Sequence, residues 1–166
     1  MNIIECDVSK EMLDRATRRA KDMGNLKGSV EKGKGNIYGF LAEEVVSSYL
    51  NVPILDDYQY DMIYKDVKID VKAQASEFRP LPHYEVTVYD WNTRQECDIY
   101  VFVRVDRYKF DKAWIVGWEG KEKYFDRATL YRKGDIDPSN NYRYKDNKWN
   151  VEISTLRDIE KIKAMA

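Results

Sequence analysis

Hydrophobic residues recur every three to four positions in the first third of this chain, the period of an α-helix with one buried face. This spacing predicts a helix over residues 9–23, with Ser9 as its N-cap, and a second helix over residues 37–50. Pro53 prevents a longer second helix, because proline lacks the amide hydrogen that a helix interior needs. Residues 24–36 contain four of the eight glycines and three lysines, a composition typical of a surface loop.

From residue 58 onward the period falls to two, as expected where alternate side chains of a β-strand face opposite sides of a sheet. Residues 58–64 and 67–75 predict two strands joined by a tight turn at Lys65 and Asp66. The apolar residues of the second strand share one face. Its other, polar face carries Lys68, Asp70, Lys72 and Gln74. Further strands are predicted over residues 84–90, 98–105 and 112–118.

The apolar run of residues 98–105 favours a central, buried strand, and the segments after the strands become helical again. They predict a short helix over residues 122–130, a Tyr- and Asn-rich loop to about residue 150, and a last helix capped by Ser154 or Thr155. Helices before and after strands predict an α/β fold, with a central mixed β-sheet flanked by α-helices.

A length of 166 residues, 43% of them hydrophobic, predicts one domain with one core. Its parts are a basic N-terminal helix and Gly/Lys loop (1–35), a core (36–118), and C-terminal helices with a loop (119–166).

Composition narrows the class of protein further. The 34% charged and 13% aromatic residues exclude an intrinsically disordered chain. Without a long apolar run or a signal-like start, we expect a cytoplasmic protein that does not associate with membranes. Two cysteines and one histidine are too few for a disulfide framework or a four-ligand zinc site. A net charge of -1 is unusual for a general duplex binder, yet residues 10–34 hold eight basic against four acidic residues.

Asp70 and Lys72 are the first candidates for chemistry, because residues two apart on a strand lie about 7 Å apart on one face. A carboxylate at such a place binds a divalent cation through oxygen, and a neighbouring ammonium positions the water that attacks a phosphate. Asp61 on the preceding strand and Glu43 on the second helix would supply further carboxylates. Together these residues predict an oxygen-rich site for a hard cation.

An acid two residues before a lysine occurs four times in the chain, so the spacing alone is weak evidence for a reactive site. On a half-exposed strand such a pair is more often a solvated charge pair. Only Asp70 and Lys72 lie in mid-strand between apolar residues, with acids on the preceding strand and helix. Asp66 and Lys68 share the strand face but lie at the turn, and they remain the alternative register.

The set Glu43, Asp61, Asp70 and Lys72, in the order helix, strand, next strand, resembles the signature of the PD-(D/E)xK nuclease superfamily. The likeness covers roughly residues 36–118. The segment GFLAEEVVSSYL is similar to the glutamate helix of that family, YDMIYKDVKIDVKAQ to its catalytic hairpin, and CDIYVFVRV to its next core strand.

Two positions depart from the family pattern. Tyr60 stands where a proline usually precedes the strand aspartate, and Asp70 stands where glutamate is more common. Neither departure removes a ligand, because the proline contacts no metal and aspartate is tolerated at the second position.

Two alternatives remain open within this assignment. Glu43, seven residues before Leu50, matches the glutamate-to-leucine spacing of small family members, but the adjacent Glu44 is also a candidate. Asp57 would replace Asp61 if the hairpin had a different register.

The resemblance implies the restriction-endonuclease-like fold and an endonuclease that hydrolyses phosphodiester bonds of DNA with Mg²⁺, for which Mn²⁺ would substitute. It implies that Asp61, Asp70 and the backbone carbonyl of Val71 hold the metal, that Glu43 assists through metal or water, and that Lys72 orients the water. A structure-specific activity such as junction resolution is one form of this function. The two-fold symmetry of duplex DNA makes a homodimer plausible. The alternative is an inactive nuclease-fold protein that serves as a DNA- or protein-binding module.

Cationic and polar residues near this site predict contacts to the DNA backbone. They are Arg15, Arg18, Arg19, Lys27, Lys32, Lys34 and Gln74. The loop GSVEKGKG resembles a P-loop but has Gly35 where Ser or Thr should ligate Mg²⁺. Some aromatic residues are able to stack on unpaired bases, although most are expected to pack in the protein. They are Tyr58, Tyr60, Tyr64, Trp91, Trp114 and Trp118.

Overall fold

A computed structural model describes residues 2–24, 36–55, 57–138 and 140–164 of the chain, which form a mixed α/β fold. Its helices and strands are, in chain order, β1 (Ile4–Asp7), α1 (Lys10–Gly24), α2 (Asn36–Leu50), β2 (Met62–Tyr64), β3 (Val67–Ser76), β4 (Glu85–Tyr89), β5 (Ile99–Asp106), β6 (Lys112–Gly120), α3 (Lys121–Arg127), β7 (Thr129–Tyr131) and β8 (Lys148–Glu152). Short 3₁₀ turns cover Asp90–Asn92, Ile153–Thr155 and Ile159–Ala164. In the described part of the chain, every helix is too short or too polar to traverse a lipid bilayer.

The larger of two sheets has five strands in the order β1-β6-β5-β3-β2. β3 and β5 run parallel, and every other neighbouring pair is antiparallel, so the sheet is mixed as predicted. β5 lies in the middle of this sheet, where six of its eight residues are buried. The prediction of a central, buried strand at this apolar segment is therefore confirmed.

The first two helices cover one face of this sheet. Ser9 caps α1 as predicted, since its Oγ accepts a hydrogen bond from the Met12 amide (3.2 Å). Both helices match the predicted ranges within one residue. The apolar side of α2 packs on the apolar face of β3, with Leu41, Ala42, Val45, Val46, Ile69 and Val71 in one buried cluster.

The opposite face is covered mainly by a second, three-stranded sheet of order β4-β8-β7. Its core includes the aromatic residues Tyr100, Phe102 and Tyr124. The expected flanking helices are therefore wrong for this face, and so is the expected loop to residue 150, which contains β7 and β8. These strands have three and five residues and too little alternation to be visible in the sequence. They form because β8 pairs with β4 on one side and with β7 on the other.

The expected C-terminal helix is also wrong, because residues 153–164 form two 3₁₀ turns. Between them, Arg157 leaves the helical path and exchanges two backbone hydrogen bonds with Trp118 of β6 (both 2.9 Å). This close approach needs Gly117 at φ +146, where a Cβ would lie 2.7 Å from the Cβ of Leu156. The sequence pattern also missed β1, whose four residues are too few to show a period.

The predicted hairpin is present, with its turn at Lys65 and Asp66, both at positive φ (48° and 67°). Its first strand is shorter than predicted and pairs with β3 only from Met62 to Tyr64. Before Met62 the chain turns away, after a last backbone hydrogen bond from the Asp61 amide to the Ile69 carbonyl (2.8 Å). No described strand covers β3 on this side beyond that point, so its second half is an edge of the sheet.

Candidate active site

The half of β3 that forms an edge of the sheet brings together polar side chains and backbone groups that no described neighbouring strand pairs with. Asp70 and Lys72 lie on the face toward the second sheet, in register with Tyr100 and Phe102 of β5. The N–H and C=O of Val71 point to the uncovered edge, because they share the direction of the Ile69 groups that meet the hairpin. Residues from either face of the sheet, and from beyond its edge, are therefore able to reach this short segment.

Asp61 fills the edge that β2 leaves open. Its Oδ2 accepts a hydrogen bond from the Val71 amide (2.7 Å), which fixes the carboxyl beside Asp70. A hydrogen bond also joins the carboxyl groups of Asp61 and Glu43 on α2. Since α2 packs on the other face of the sheet, Glu43 and Asp70 reach this edge from opposite sides. The structure thus brings Glu43, Asp61 and Asp70 together from a helix and two strands.

Lys72 lies against this group of carboxylates. Its Nζ is 2.6 Å from Oδ2 of Asp70, and 86% of its side-chain surface is buried. That oxygen is itself buried and accepts no hydrogen bond of normal geometry from any described residue, so the charge of Lys72 is what stabilises it. Asp70 and Lys72 are therefore a buried ion pair and not the solvated charge pair that the spacing alone favours.

Gln95 is a member of this site that the sequence did not reveal. Its Oε1 accepts a hydrogen bond from Lys72 Nζ (2.9 Å), and its Nε2 donates to Asp70 Oδ1 (3.3 Å) and to the Tyr58 carbonyl (3.2 Å). Gln95 precedes β5, and the start of a parallel neighbour lies beside the start of β3. Only knowledge of that parallel pairing could have pointed to this residue.

The electrostatics of the site are dominated by an excess of acid. Burial, together with the negative charges of Glu43 and Asp70, raises the pKa of Asp61 to about 9, against the opposing effect of the hydrogen bond from Val71. Burial also raises the pKa of Glu43, against the opposing effect of Arg19. Among the described residues, three carboxyl groups thus share only two close cations, Lys72 and Arg19.

Two of the arginines predicted to contact DNA form ion pairs that join α1 to α2. Arg19 pairs with Glu43 (Nη2 to Oε1, 3.1 Å), and Arg15 pairs with Glu44 (Nε to Oε1, 2.6 Å). Glu44 is therefore occupied at the helix interface, and Glu43 is the helix acid that meets Asp61. Arg15 keeps half of its side-chain surface exposed.

The other residues predicted to contact DNA lie in different places. Arg18 is exposed on α1, and Gln74 lies on β3 in the cleft described below. Lys27, Lys32 and Lys34, with the P-loop-like segment, lie outside the described residues.

The alternative acids do not join the site. Asp57 accepts a hydrogen bond from the amide of Gln59 (2.8 Å) in a local turn, and Asp66 is exposed at the hairpin turn. Lys68, on the same face as Lys72, lies over the Tyr60 ring (5.4 Å). Of the two possible registers, the structure therefore has the one in which Asp70 and Lys72, and not Asp66 and Lys68, lie beside Asp61 and Glu43.

An open cleft of ≈ 380 Å³ leads to this site. Its floor is the edge of β3 from Val71 to Ala75, one wall is the start of α2, and the other wall is the end of β4 with the turn after it. Glu43, Lys72 and Gln74 line it together with Tyr38, Tyr89 and Asn92. A polymer lying in the cleft would run past Lys72.

The site offers only oxygen ligands, which suit Mg²⁺ or Mn²⁺. The donor set, its excess of negative charge and the buried Asp70 oxygen without a hydrogen bond fit a hard cation. As they stand, however, no three acidic, His or Cys side chains among the described residues form a set of metal ligands. No protein-family model matches the chain, and no curated protein resembles it in sequence.

Proposed function

We propose that this protein is a metal-dependent endonuclease that hydrolyses phosphodiester bonds of DNA, with a restriction-endonuclease-like arrangement of its sheet and helices. The observation that carries the proposal is the group Glu43, Asp61, Asp70 and Lys72 at an uncovered strand edge that opens into a cleft. Buried acids in excess over cations are unfavourable for folding, so their presence supports a role in binding a cation.

Asp61, Asp70 and the carbonyl of Val71 are the groups that would hold Mg²⁺, with Glu43 close enough to assist. When bound, the ion would act as a Lewis acid that counters negative charge on the phosphate. The Val71 amide supports this assignment, because it orients the Asp61 carboxyl at the edge where the Val71 carbonyl also points. Arg19 holds Glu43 from the side of α1.

Lys72 is the residue that we expect to act on the attacking water. An ammonium has three N–H donors, of which one goes to Gln95 and one faces Asp70. The third is available to a water or a phosphate oxygen in the cleft. Gln95 acts as a positioning residue, since it binds both Lys72 and Asp70 and so fixes the ammonium relative to the carboxylate.

Cleavage of DNA in different forms tests the proposal. The purified protein is incubated with supercoiled, linear, single-stranded and four-way-junction DNA, each with Mg²⁺, Mn²⁺ or EDTA. We expect cleavage that requires the metal, and a loss on the order of 10²- to 10⁴-fold in Lys72→Ala, the range for removal of a proton-transfer group.

Lys68→Ala is the matched control, because Lys68 lies on the same face of β3 but packs over Tyr60 outside the site. It should cleave like the unchanged protein. Equal cleavage by Lys72→Ala and Lys68→Ala would contradict the proposed role of Lys72. Absence of cleavage on every substrate, with DNA binding retained, would favour the non-catalytic binding module.

A further inference from the structure

Beyond the catalytic group, the cleft has an exposed aromatic surface at its outer wall. The rings of Tyr89 and Trp91 are stacked in parallel, with centroids 4.6 Å apart and 3° between their planes. Trp91 is 62% exposed and Tyr89 39%, although large aromatic residues are usually covered in a folded protein. We name these two residues the aromatic pair. Neither ring belongs to a core cluster of the described chain, so packing in the core does not account for the pair.

The turn that carries Trp91 is firmly held. The Asp90 amide donates to the Asn147 carbonyl (3.1 Å), and the Asp90 carboxylate accepts a hydrogen bond from Trp149 Nε1 (3.1 Å). Thr93 closes the turn by donating from Oγ1 to the Asp90 carbonyl (2.8 Å). The aromatic pair is therefore a fixed surface, and a planar ligand stacked on it would cost little ordering of the protein.

The same turn leads directly into the catalytic group. Tyr89 and Asn92 line the cleft that contains Glu43 and Lys72, and Gln95, which binds Lys72, follows Trp91 by four residues. A nucleotide chain that passes Lys72 along the cleft would therefore reach the aromatic pair.

A second hollow of ≈ 480 Å³ also adjoins Trp91. It is lined by Asp90, Trp91, Arg94, Lys133, Asp146 and Asn147. Arg94 and Lys133 are exposed and form no ion pair with a described residue, so they are available to a phosphate. The carboxylates of Asp90 and Asp146 and the amide of Asn147 offer acceptors and donors for the polar edge of a base. This mixture suits a nucleotide better than a purely apolar partner.

We infer that the aromatic pair binds an unpaired base of the DNA substrate, so that the enzyme prefers DNA with unstacked nucleotides over continuous duplex. The inference rests on the proposed function for the identity of the polymer. A base in a duplex is already stacked on both faces and cannot lie on Trp91, whereas a base in a single strand, a flap or a junction can. The aromatic pair thus identifies which form of DNA the cleft accepts.

DNA binding measured in EDTA tests this inference without any cleavage. A labelled single-stranded oligonucleotide and the duplex of the same sequence are titrated with the full-length protein, and anisotropy gives each Kd. We expect tighter binding of the single strand, and a loss of about tenfold in Trp91→Ala, the effect typical of one stacked base. Trp91→Phe should keep most of the affinity, because phenylalanine also offers a flat ring.

Tyr108→Ala is the matched control, since Tyr108 is 66% exposed but lies beyond the far end of β5. It should bind both DNA forms like the unchanged protein. Equal affinity of the unchanged protein for both forms, or equal affinity of Trp91→Ala and Tyr108→Ala for the single strand, would overturn the inference.

The two proposals fail in different ways. If no DNA is cleaved but single-strand binding depends on Trp91, the nuclease proposal is wrong and the base-binding surface stands. If cleavage depends on Lys72 but Trp91→Ala cleaves and binds every DNA form normally, the nuclease proposal stands and this inference is wrong.

Discussion

Asp70 and Lys72 on β3 have the same spacing as Glu119 and Lys121 at the end of β6, yet only the first pair meets. β3 continues past Lys72, so the alternation of a strand holds both side chains on one face. β6 ends at Gly120 and α3 begins at Lys121, so the second lysine turns away and donates to the carbonyl of Gln95. Continuity of the strand, and not the spacing alone, brings the acid and the lysine together.

The surroundings of the two acids differ even more. Glu119, which is 3% exposed, binds Arg127 (2.5 Å), Arg157 (3.0 Å) and the amide of Gly120 (2.9 Å). Burial acts to raise its pKa, but these three hydrogen bonds outweigh burial and lower it overall. Asp70, in contrast, shares its site with two further acids, of which Asp61 has a raised pKa. One cluster is an anion neutralised by the protein, and the other is a group of three acids with only two close cations in the described part of the chain.

This difference separates a structural ion cluster from a candidate active site. A structural cluster should contribute to stability and little to activity, and the candidate site should show the reverse. The following variants test the contrast, beginning with the largest expected effect.

Asp70→Asn and Glu119→Gln should differ most in activity. The first removes a charge that we propose to hold the cation, and we expect cleavage to fall about 10³-fold, equivalent to several kcal/mol of transition-state stabilisation. The second should leave cleavage per folded molecule within a few-fold of normal. Rates measured on the preferred DNA and corrected for the folded fraction give the comparison. Similar losses in both variants would show that the two clusters do not differ in function.

The same two variants should rank in the opposite order for stability in EDTA. Glu119→Gln leaves two arginines without their anion and should lower the free energy of unfolding by about 2 to 3 kcal/mol, at or just below the low end of the range for a broken buried pair. Both arginines are partly exposed, so water limits the loss. Asp70→Asn relieves repulsion among three acids but also leaves Lys72 without its anion, so the net change should be smaller. Urea titration measures both values, and a larger loss in Asp70→Asn would reverse the assignment.

Divalent cations should stabilise the folded protein by binding at the cluster of Asp70 and not at that of Glu119. At a Mg²⁺ or Mn²⁺ concentration 100 times the Kd, binding to the folded state contributes about 2.7 kcal/mol and raises Tm accordingly. Asp70→Asn should abolish this shift, while Glu119→Gln should melt earlier but keep it. A thermal shift that survives in Asp70→Asn would place the cation elsewhere.

The two clusters should also respond to pH in opposite directions when no metal is present. The pKa of Asp61 is raised in the folded state, so protonation of this group stabilises the folded protein. This contribution to the free energy of unfolding is fully present below about pH 4, near the unfolded pKa, and is lost as pH rises toward about 9. The loss is at most about 1.4 kcal/mol per pH unit for one proton. The pKa of Glu119 is lowered, so its contribution is present above the unfolded value and is lost as pH falls through the folded one.

Unfolding free energies in EDTA from pH 4 to 9 check this prediction. Asp61→Asn should flatten the decline toward high pH, and Glu119→Gln should flatten only the decline at the acidic end. An unchanged alkaline decline in Asp61→Asn would mean that another group binds the proton.

Among the variants of the site, Gln95→Ala should have the smallest effect on activity. It removes the hydrogen bonds to Lys72 and Asp70 but none of the groups that we expect to contact water or phosphate. Loss of the hydrogen bond that orients Lys72, worth about 1 kcal/mol, predicts cleavage that is several-fold slower. Glu96→Ala is the control, since this neighbour is exposed and should cleave normally. A loss as large as that of Lys72→Ala would make Gln95 more than a positioning residue.

The parts of the fold that the sequence predicted are those set by local pattern. The two helices, the hairpin turn at Lys65 and Asp66, and the central strand each follow from periods visible within one segment. Glu43, Asp61 and Asp70 could be named because each occupies a recognisable place in such an element. The second sheet and the final 3₁₀ turns depend on pairing between distant segments, which no local period records.

The same limit explains the residues that the sequence assigned differently or missed. Arginines at helical spacing look the same in a sequence whether they face solvent or the acids of another helix. The ion pairs of Arg15 and Arg19 with α2 could therefore not be predicted. Gln95 lies in a polar loop and reaches the site only because β5 runs parallel to β3.

The shortness of β2 has a consequence for how the site is assembled. Asp61 is carried on a segment that pairs with β3 over only three residues, whereas β5 is bonded along its length by strands on both sides. Segments with few backbone hydrogen bonds open at a lower free energy than the central strands of the same domain. Amide hydrogens of Met62 to Tyr64 should therefore exchange with solvent faster than those of β5. Opening of this hairpin removes Asp61 from its partners while the rest of the sheet stays folded, so the population of assembled sites is governed by a local equilibrium of its own.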